Sequence, residues 1–321
     1  MQIQLHWIET LQQLTGLAGP MQLFSFLGNE QFFLLLIPIV YLCIDAGLGV
    51  RLALIVLFSD SLCYYLKILC HQPRPYWIET GRVLGLDPDG SYGLPSSHAQ
   101  NATAVWLFLA KQAKRAWALP TAIAIILLIS ISRVYLGAHF PTDVLGGWVV
   151  GIAFLALFLK TGPAIKKWIS GSDLSMQVVG SLGAAAFLVL LAFIVRDAVA
   201  TSTDPAAWGK FPDDPRGLSP IVGHAGAITG LGLGVGMAMK RARFRSDGPL
   251  HLRLARLTIG LMGVGFFYVV LSNIILLRDN EFADQMVRFA RYALLTWWVT
   301  FLTPWMCLKL KLAEPAPEHL P

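Results

Sequence analysis

The stretch ALPTAIAIILLISISRVYLGAHFPTDVLGGWVVGIAFLALFLK, residues 118–160, decides how this chain folds. It holds two apolar runs, 118–137 and 143–160, each close to the roughly 20 mostly apolar residues that carry a helix across a bilayer. Around the junction stand Ser132, Arg133, His139 and Asp143. A charge at the middle of a membrane helix costs roughly 3 kcal/mol or more, so these groups need partners. The stretch predicts two membrane helices joined by a short loop, with a cation, an imidazole and a carboxylate at one membrane face.

Working outward, further apolar runs centre on 31–48, 52–70, 98–113, 176–196, 218–239, 256–277 and 286–308. The prediction is an all-α integral membrane protein, a helical bundle of about nine transmembrane helices. A composition of 55% hydrophobic and 14% charged residues, with mean hydropathy +0.61, excludes an ordinary soluble domain. Basic residues collect after alternate spans: Lys111, Lys114 and Arg115, then Lys160, Lys166 and Lys167, then Lys240, Arg241, Arg243, Arg245, Arg253 and Arg256, then Lys309 and Lys311. Positive charge marks the cytoplasmic side, which puts the N-terminus outside and the C-terminus in the cytoplasm. The opposite loops carry Asp87, Asp89, Asp204, Asp213, Asp214, Asp279 and Glu281. The net charge of +6 therefore reflects topology, and no nucleic-acid partner is expected. Cys43, Cys63, Cys70 and Cys307 are scattered, with neither a disulfide framework nor metal-ligand spacing.

Residues 1–30 lack Lys and Arg, so the basic first region of a secretory signal is missing. Ile3, Trp7, Ile8, Leu11 and Leu14 share one helical face, which suits an amphipathic segment in the membrane interface and equally a packing helix. Residues 31–160 hold five spans and every motif residue, and form the expected catalytic core. A short polar connection over 161–175 leads to four more spans, so that 161–321 make a C-terminal extension. The proline-rich outer loop at 197–217 reads as turns without a helix.

Three short segments carry the chemistry, and each has a plainer alternative. Lys67 and Arg74, seven residues apart near a helix end, can face one anion or simply snorkel to the interface. Pro95-Ser96-Ser97-His98 opens a span, where free backbone N–H groups suit a phosphate and where serine is also a routine N-cap. Asp143, four residues after His139, can orient the imidazole or cap the following helix. Their conjunction on one membrane face points to a phosphoryl group as the shared partner.

Written as Lys-x6-Arg-Pro, Pro-Ser-x-His and Ser-Arg-x5-His-x3-Asp, these segments resemble the type 2 phosphatidic acid phosphatase family, whose superfamily includes glucose-6-phosphatases and vanadium haloperoxidases. The motif resemblance covers roughly residues 60–150. It implies a metal-independent phosphatase without cofactor, with His139 as nucleophile, Asp143 orienting it and His98 as proton donor and later base. Lys67, Arg74, Ser96, Ser97 and Arg133 would hold the phosphoryl oxygens. Ser97 stands where many members carry Gly; sphingosine-phosphate phosphatases tolerate a hydroxyl residue there, and it implies an altered fit at the phosphate. The nine-span plan, Asp60 and Tyr76-Trp77 resemble the glucose-6-phosphatase pattern.

The expected substrate is a lipid mono- or diphosphate at the outer face of a bacterial inner membrane, with membrane lipids as surroundings and the site toward the periplasm. A sugar-phosphate phosphatase of glucose-6-phosphatase type, a lipid phosphotransferase and a non-catalytic lipid-phosphate binder or transporter are the alternatives. Intact His98, His139 and Asp143 speak against the last, because binding needs only the cations.

Overall fold

The structure is a computed structural model; it describes residues 1–79, 81–208, 214–273 and 280–316, and the regular elements among them are all helical. Asp213 and Asp279 of the expected outer loops lie outside these residues. The helices are α1 (Gln2–Gln12), α2 (Ala18–Phe26), α3 (Glu30–Cys43), α4 (Ala46–Cys70), α5 (Pro75–Ile78), α6 (Ser97–Ala113), α7 (Ala118–Tyr135), α8 (Pro141–Gly171), α9 (Leu174–Ala198), α10 (Ser219–Arg241), α11 (Leu250–Ser272), α12 (Glu281–Trp297) and α13 (Thr303–Lys309). A five-residue π segment, Trp298–Leu302, joins α12 to α13.

Among the described residues, six helical stretches are long and apolar enough to cross a membrane: Ala46–Ile78, α7, α8, α9, α10 and α11. The pair α2 and α3, bent by 50°, makes a seventh if it is one span. The two other expected spans also form helices, but less apolar or shorter ones. Helix α6 has 17 residues and buries Gln100, Asn101 and Thr103, while α12 carries Glu281, Asp284, Arg288 and Arg291 along its 17 residues.

Two sequence-based boundaries shift. Helix α8 runs through Pro163 to Gly171, so the polar connection expected over 161–175 shrinks to the turn before Leu174. Thr161, whose hydroxyl bonds the Leu157 carbonyl at 2.9 Å, lies within this continuous helix. The loop expected to lack helix contains a single 3₁₀ turn, Ala206–Trp208, among its described residues.

The chain forms two compact units from interleaved stretches. The first comprises Met1–Phe33, Phe58–Thr161 and Ala192–Gly217. Here α1 buries Leu5 and Ile8 with Val83, Ala99, Val134, Phe140 and Val144, and Gln12 donates to the Leu84 and Tyr135 carbonyls at 2.9 Å each. It is thus a packing helix, yet Ile3 and Trp7 remain exposed along its outer side, as does Leu14 just beyond its end. Asn101 is buried against α4: it accepts from the Ser59 hydroxyl at 2.7 Å and donates to Asp60 at 3.0 Å.

The second unit comprises Leu34–Leu57, Gly162–Leu191 and Leu218–Pro321. Its α10 packs against α12 and the π segment along Gly226, Gly230 and Gly234, where a Cβ would come within 2.2 Å of the Phe289 carbonyl oxygen, 2.0 Å of the Ala293 carbonyl oxygen and 2.0 Å of the Thr300 hydroxyl. Small residues four apart let two membrane helices touch backbone to backbone, which is how helices associate where lipid offers no hydrophobic driving force.

Candidate active site

The site lies in the first unit, where the ends of α4, α6, α7 and α8 meet. Helix α4 ends at Cys70, and Pro73 and Pro75 flank Arg74 in extended backbone. Lys67 and Arg74 nevertheless converge, because both reach the chain at Ser91-Tyr92. Lys67 Nζ donates to Ser91 Oγ at 3.0 Å and to the Tyr92 carbonyl at 2.5 Å. Arg74 is fully buried and spreads its guanidinium over the Ser91 carbonyl at 2.5 Å, Ser91 Oγ at 3.0 Å, the Ala138 carbonyl at 3.0 Å and Asp89 at 2.8 Å. A charge so deeply desolvated is tolerated only when this many groups meet it.

The same guanidinium stands 3.3 Å from Nε2 of His139. On the other side of the ring, Nδ1 faces Asp143 Oδ2 at 3.4 Å without a formed hydrogen bond. Asp143 meets two groups. It faces the imidazole, and its Oδ2 accepts the Phe140 N–H at 2.9 Å at the start of α8. Burial, and then the nearby charges of Arg74 and Lys67, hold the His139 imidazole well below the usual histidine range, so the ring is neutral. With Nδ1–H toward the carboxylate, the lone pair of Nε2 lies beside the guanidinium.

Arg133, in the last turn of α7 and 1% exposed, pairs with Asp87 and donates to Ser25 Oγ at 2.5 Å. Ser96 caps α6 in extended backbone, its hydroxyl accepting from the Ala99 N–H at 3.5 Å, and its own N–H donates to the Asp143 carbonyl at 2.9 Å. That bond ties the start of α6 to the start of α8. Ser97 and His98 follow in the first turn, both half-buried, and His98 Nε2 is hydrogen-bonded to Asn29.

The structure therefore brings Lys67, Arg74, His139 and Asp143 into one contact network, while Arg133 and His98 both bond to the end of α2 and its junction with α3, through Ser25 and Asn29. Ser97 is the first residue of α6 and is half-buried. Five participants were not anticipated from sequence: Asp87 and Asp89, assigned only to an acidic outer loop, and Ser25, Asn29 and Ser91. In a chain with only 19 acidic residues, two carboxylates spaced two apart between the first and second motifs were the available signal for the loop.

One glycine sets the approach of α8 to α6. A Cβ at Gly147 would sit 2.7 Å from the Ser96 carbonyl oxygen and 3.1 Å from the Gln100 nitrogen, so no side chain fits without moving the start of α6. Gly147→Ala is expected to destabilise the protein by about 1–3 kcal/mol through overpacking and to lower activity. A thermal melt in detergent unchanged from the parent protein would contradict that packing account.

By fold and site, this is an integral membrane protein of helices that carries a buried cation–imidazole centre where four helices end. It belongs to the PAP2 superfamily. Residues 48–167 match that superfamily, and residues 222–315 match the transmembrane extension of PAP2 superfamily phosphatases. Sphingosine-1-phosphate phosphatase 1 of Mus musculus is 30% identical over 140 residues, covering 41% of this chain and 32% of that protein. Phosphatidylglycerophosphatase B of Bacillus subtilis is 39% identical over 144 residues, 36% of this chain and 70% of that protein. Glucose-6-phosphatase catalytic subunit 1 of Haplochromis nubilus is 24% identical over 301 residues, 82% of each chain. The chain spans about a third of the length of the mammalian sphingosine-1-phosphate phosphatase it matches. No solved structure matches.

Proposed function

We propose that this protein is a phosphoric monoester hydrolase that cleaves a lipid phosphate, mono- or diphosphate, at the outer membrane face through a phosphohistidine on His139. The observation that carries the reading is the His139 ring itself. It is fully buried, with Asp143 behind Nδ1 and the Arg74 guanidinium 3.3 Å from Nε2. Nucleophile, orienting carboxylate and phosphate-binding cation thus stand in line.

The steps follow from those groups. Nε2 attacks phosphorus and the ester P–O bond breaks, while Lys67, Arg74 and Arg133, with Ser96 and Ser97 at the start of α6, take up the charge on the phosphoryl oxygens. His98 protonates the departing alkoxide, which leaves as an alcohol. The same ring then accepts a proton from water, whose oxygen attacks phosphorus; the P–N bond breaks and His139 returns to its neutral form. Phosphoryl transfer needs positioning and electrostatic stabilisation more than covalent help, so three cations and two imidazoles suffice without a metal. Asp89 and Asp87 pair with Arg74 and Arg133, so a bound phosphate would share these cations with the two carboxylates.

Positive charge on alternate loops supports about nine spans, with the N-terminus outside, the C-terminus in the cytoplasm and the site facing the periplasm of a bacterial inner membrane. The separately matched stretches support a catalytic core within 31–160 and a C-terminal extension over 161–321. Two relatives are named for phosphorylated lipids, and a centre at the ends of membrane helices suits a headgroup. A sugar phosphate is the second reading, favoured by the glucose-6-phosphatase relative that aligns over 82% of both chains.

Purified protein in detergent is expected to release phosphate from lipid phosphates faster than from hexose phosphates, equally with and without chelator. Vanadate should inhibit by mimicking pentacoordinate phosphorus. Faster release from hexose phosphate would favour the second reading; no release from any ester, or insensitivity to vanadate, would defeat the site assignment.

A further inference from the structure

The junction between α2 and α3 forms a seat for His98 that the three sequence motifs do not contain. Nε2 of His98 is hydrogen-bonded to Oδ1 of Asn29, 69 residues earlier in the chain. The residue beside it, Gly28, lies against the ring face: a Cβ there would come 2.8 Å from His98 Cδ2 and 3.2 Å from Cγ. The seat is itself anchored, since the Asn29 N–H bonds the Phe26 carbonyl at 3.0 Å and the Gly28 N–H bonds the Ser25 carbonyl at 2.9 Å. Ser25 in turn accepts from Arg133. The other ring nitrogen, Nδ1, is buried and has no hydrogen-bond partner among the described residues.

We propose that Asn29 is a positioning residue for His98, fixing its tautomer so that Nδ1 is the nitrogen that exchanges a proton with the leaving oxygen and with water. An amide oxygen only accepts, so the proton of the neutral ring is held on Nε2. The lone pair is then on Nδ1, the nitrogen left free. When the ring is charged, Nε2–H stays on Asn29 and the Nδ1 proton is the transferable one. This role rests on the phosphatase reading above, in which His98 protonates the departing alkoxide.

The test separates proton donation from general integrity of the site. An alkyl phosphate needs its leaving oxygen protonated; an aryl phosphate with an acidic phenol as leaving group does not. Asn29→Ala is expected to lower kcat/KM about thirtyfold on a lipid phosphate and less than about threefold on p-nitrophenyl phosphate, a part of the roughly 10²–10⁴-fold that a general acid contributes as a whole. Asn29→Asp keeps an acceptor and should retain lipid-phosphate turnover within about fivefold of the parent. In a His98→Ala background, Asn29→Ala should add almost nothing, because the two act as one unit. Gly28→Ala, with Asn29 intact, should reproduce the alkyl–aryl split and serves if Asn29→Ala does not fold. Equal losses on both esters, additive losses in the double variant, or unchanged kinetics in Asn29→Ala would overturn the role of Asn29. Phosphate release from neither ester by the unmodified protein would overturn the phosphatase reading and the Asn29 role together.

Discussion

His139→Ala is expected to lower turnover by about 10⁴-fold or more, because it removes the atom proposed to bond to phosphorus, while substrate binding stays within about tenfold. The separation follows from the geometry. Lys67 and Arg74 are held by Ser91 and by the Tyr92 and Ala138 carbonyls, independently of the imidazole, and Arg133 by Ser25 and Asp87. Losing the ring leaves the cation cluster standing. Two measurements check this: steady-state phosphate release, and labelling with a radiolabelled phosphate ester under alkaline quench, which preserves phosphohistidine. The parent protein should carry label that the variant lacks. Turnover in the variant within about a hundredfold of the parent would remove His139 from the nucleophile's role.

The second large effect is expected at Arg74. Its guanidinium serves the Ser91 carbonyl, Ser91 Oγ, the Ala138 carbonyl, Asp89 and Nε2 of His139 at once, from a fully buried position. An ammonium has three donors on one atom and cannot span that fan. Arg74→Lys should therefore lower kcat/KM by about 10³-fold despite keeping the charge, since buried carbonyls are left without donors and the His139 edge of the site loses its cation. Arg74→Ala should in addition destabilise the protein by about 3–5 kcal/mol, the usual cost of leaving buried partners of an ion pair uncompensated. A lysine variant within about threefold of the parent would mean that point charge alone matters here, against the reading of Arg74 as a fork.

Helix lengths and the ends of most spans are legible in the sequence because they depend on local composition. The runs at 118–137 and 176–196 became α7 and α9 within a few residues. Where local and tertiary effects compete, the sequence misleads. Gly162-Pro163 reads as a stop, yet α8 continues to Gly171. The apolar positions of the first helix divide between a packed side at Leu5 and Ile8 and an exposed side at Ile3 and Trp7, a division that depends on what the helix meets.

By itself, the sequence determined that this is a helical membrane protein whose rare polar residues cluster at helix ends, because charge is so costly in lipid that it persists only where partners or water meet it. Spacing alone assigned Asp143 to His139, since four residues are about one helical turn. Only the tertiary structure decided who meets the other site residues from elsewhere in the chain: Asp89 on Arg74, Asp87 and Ser25 on Arg133, and Asn29 on His98. These partners lie in loops and helix junctions whose positions follow from packing. For Arg133 and His98 the pairs are 46 to 108 residues apart, far beyond the few turns of helix over which periodicity can place one side chain against another.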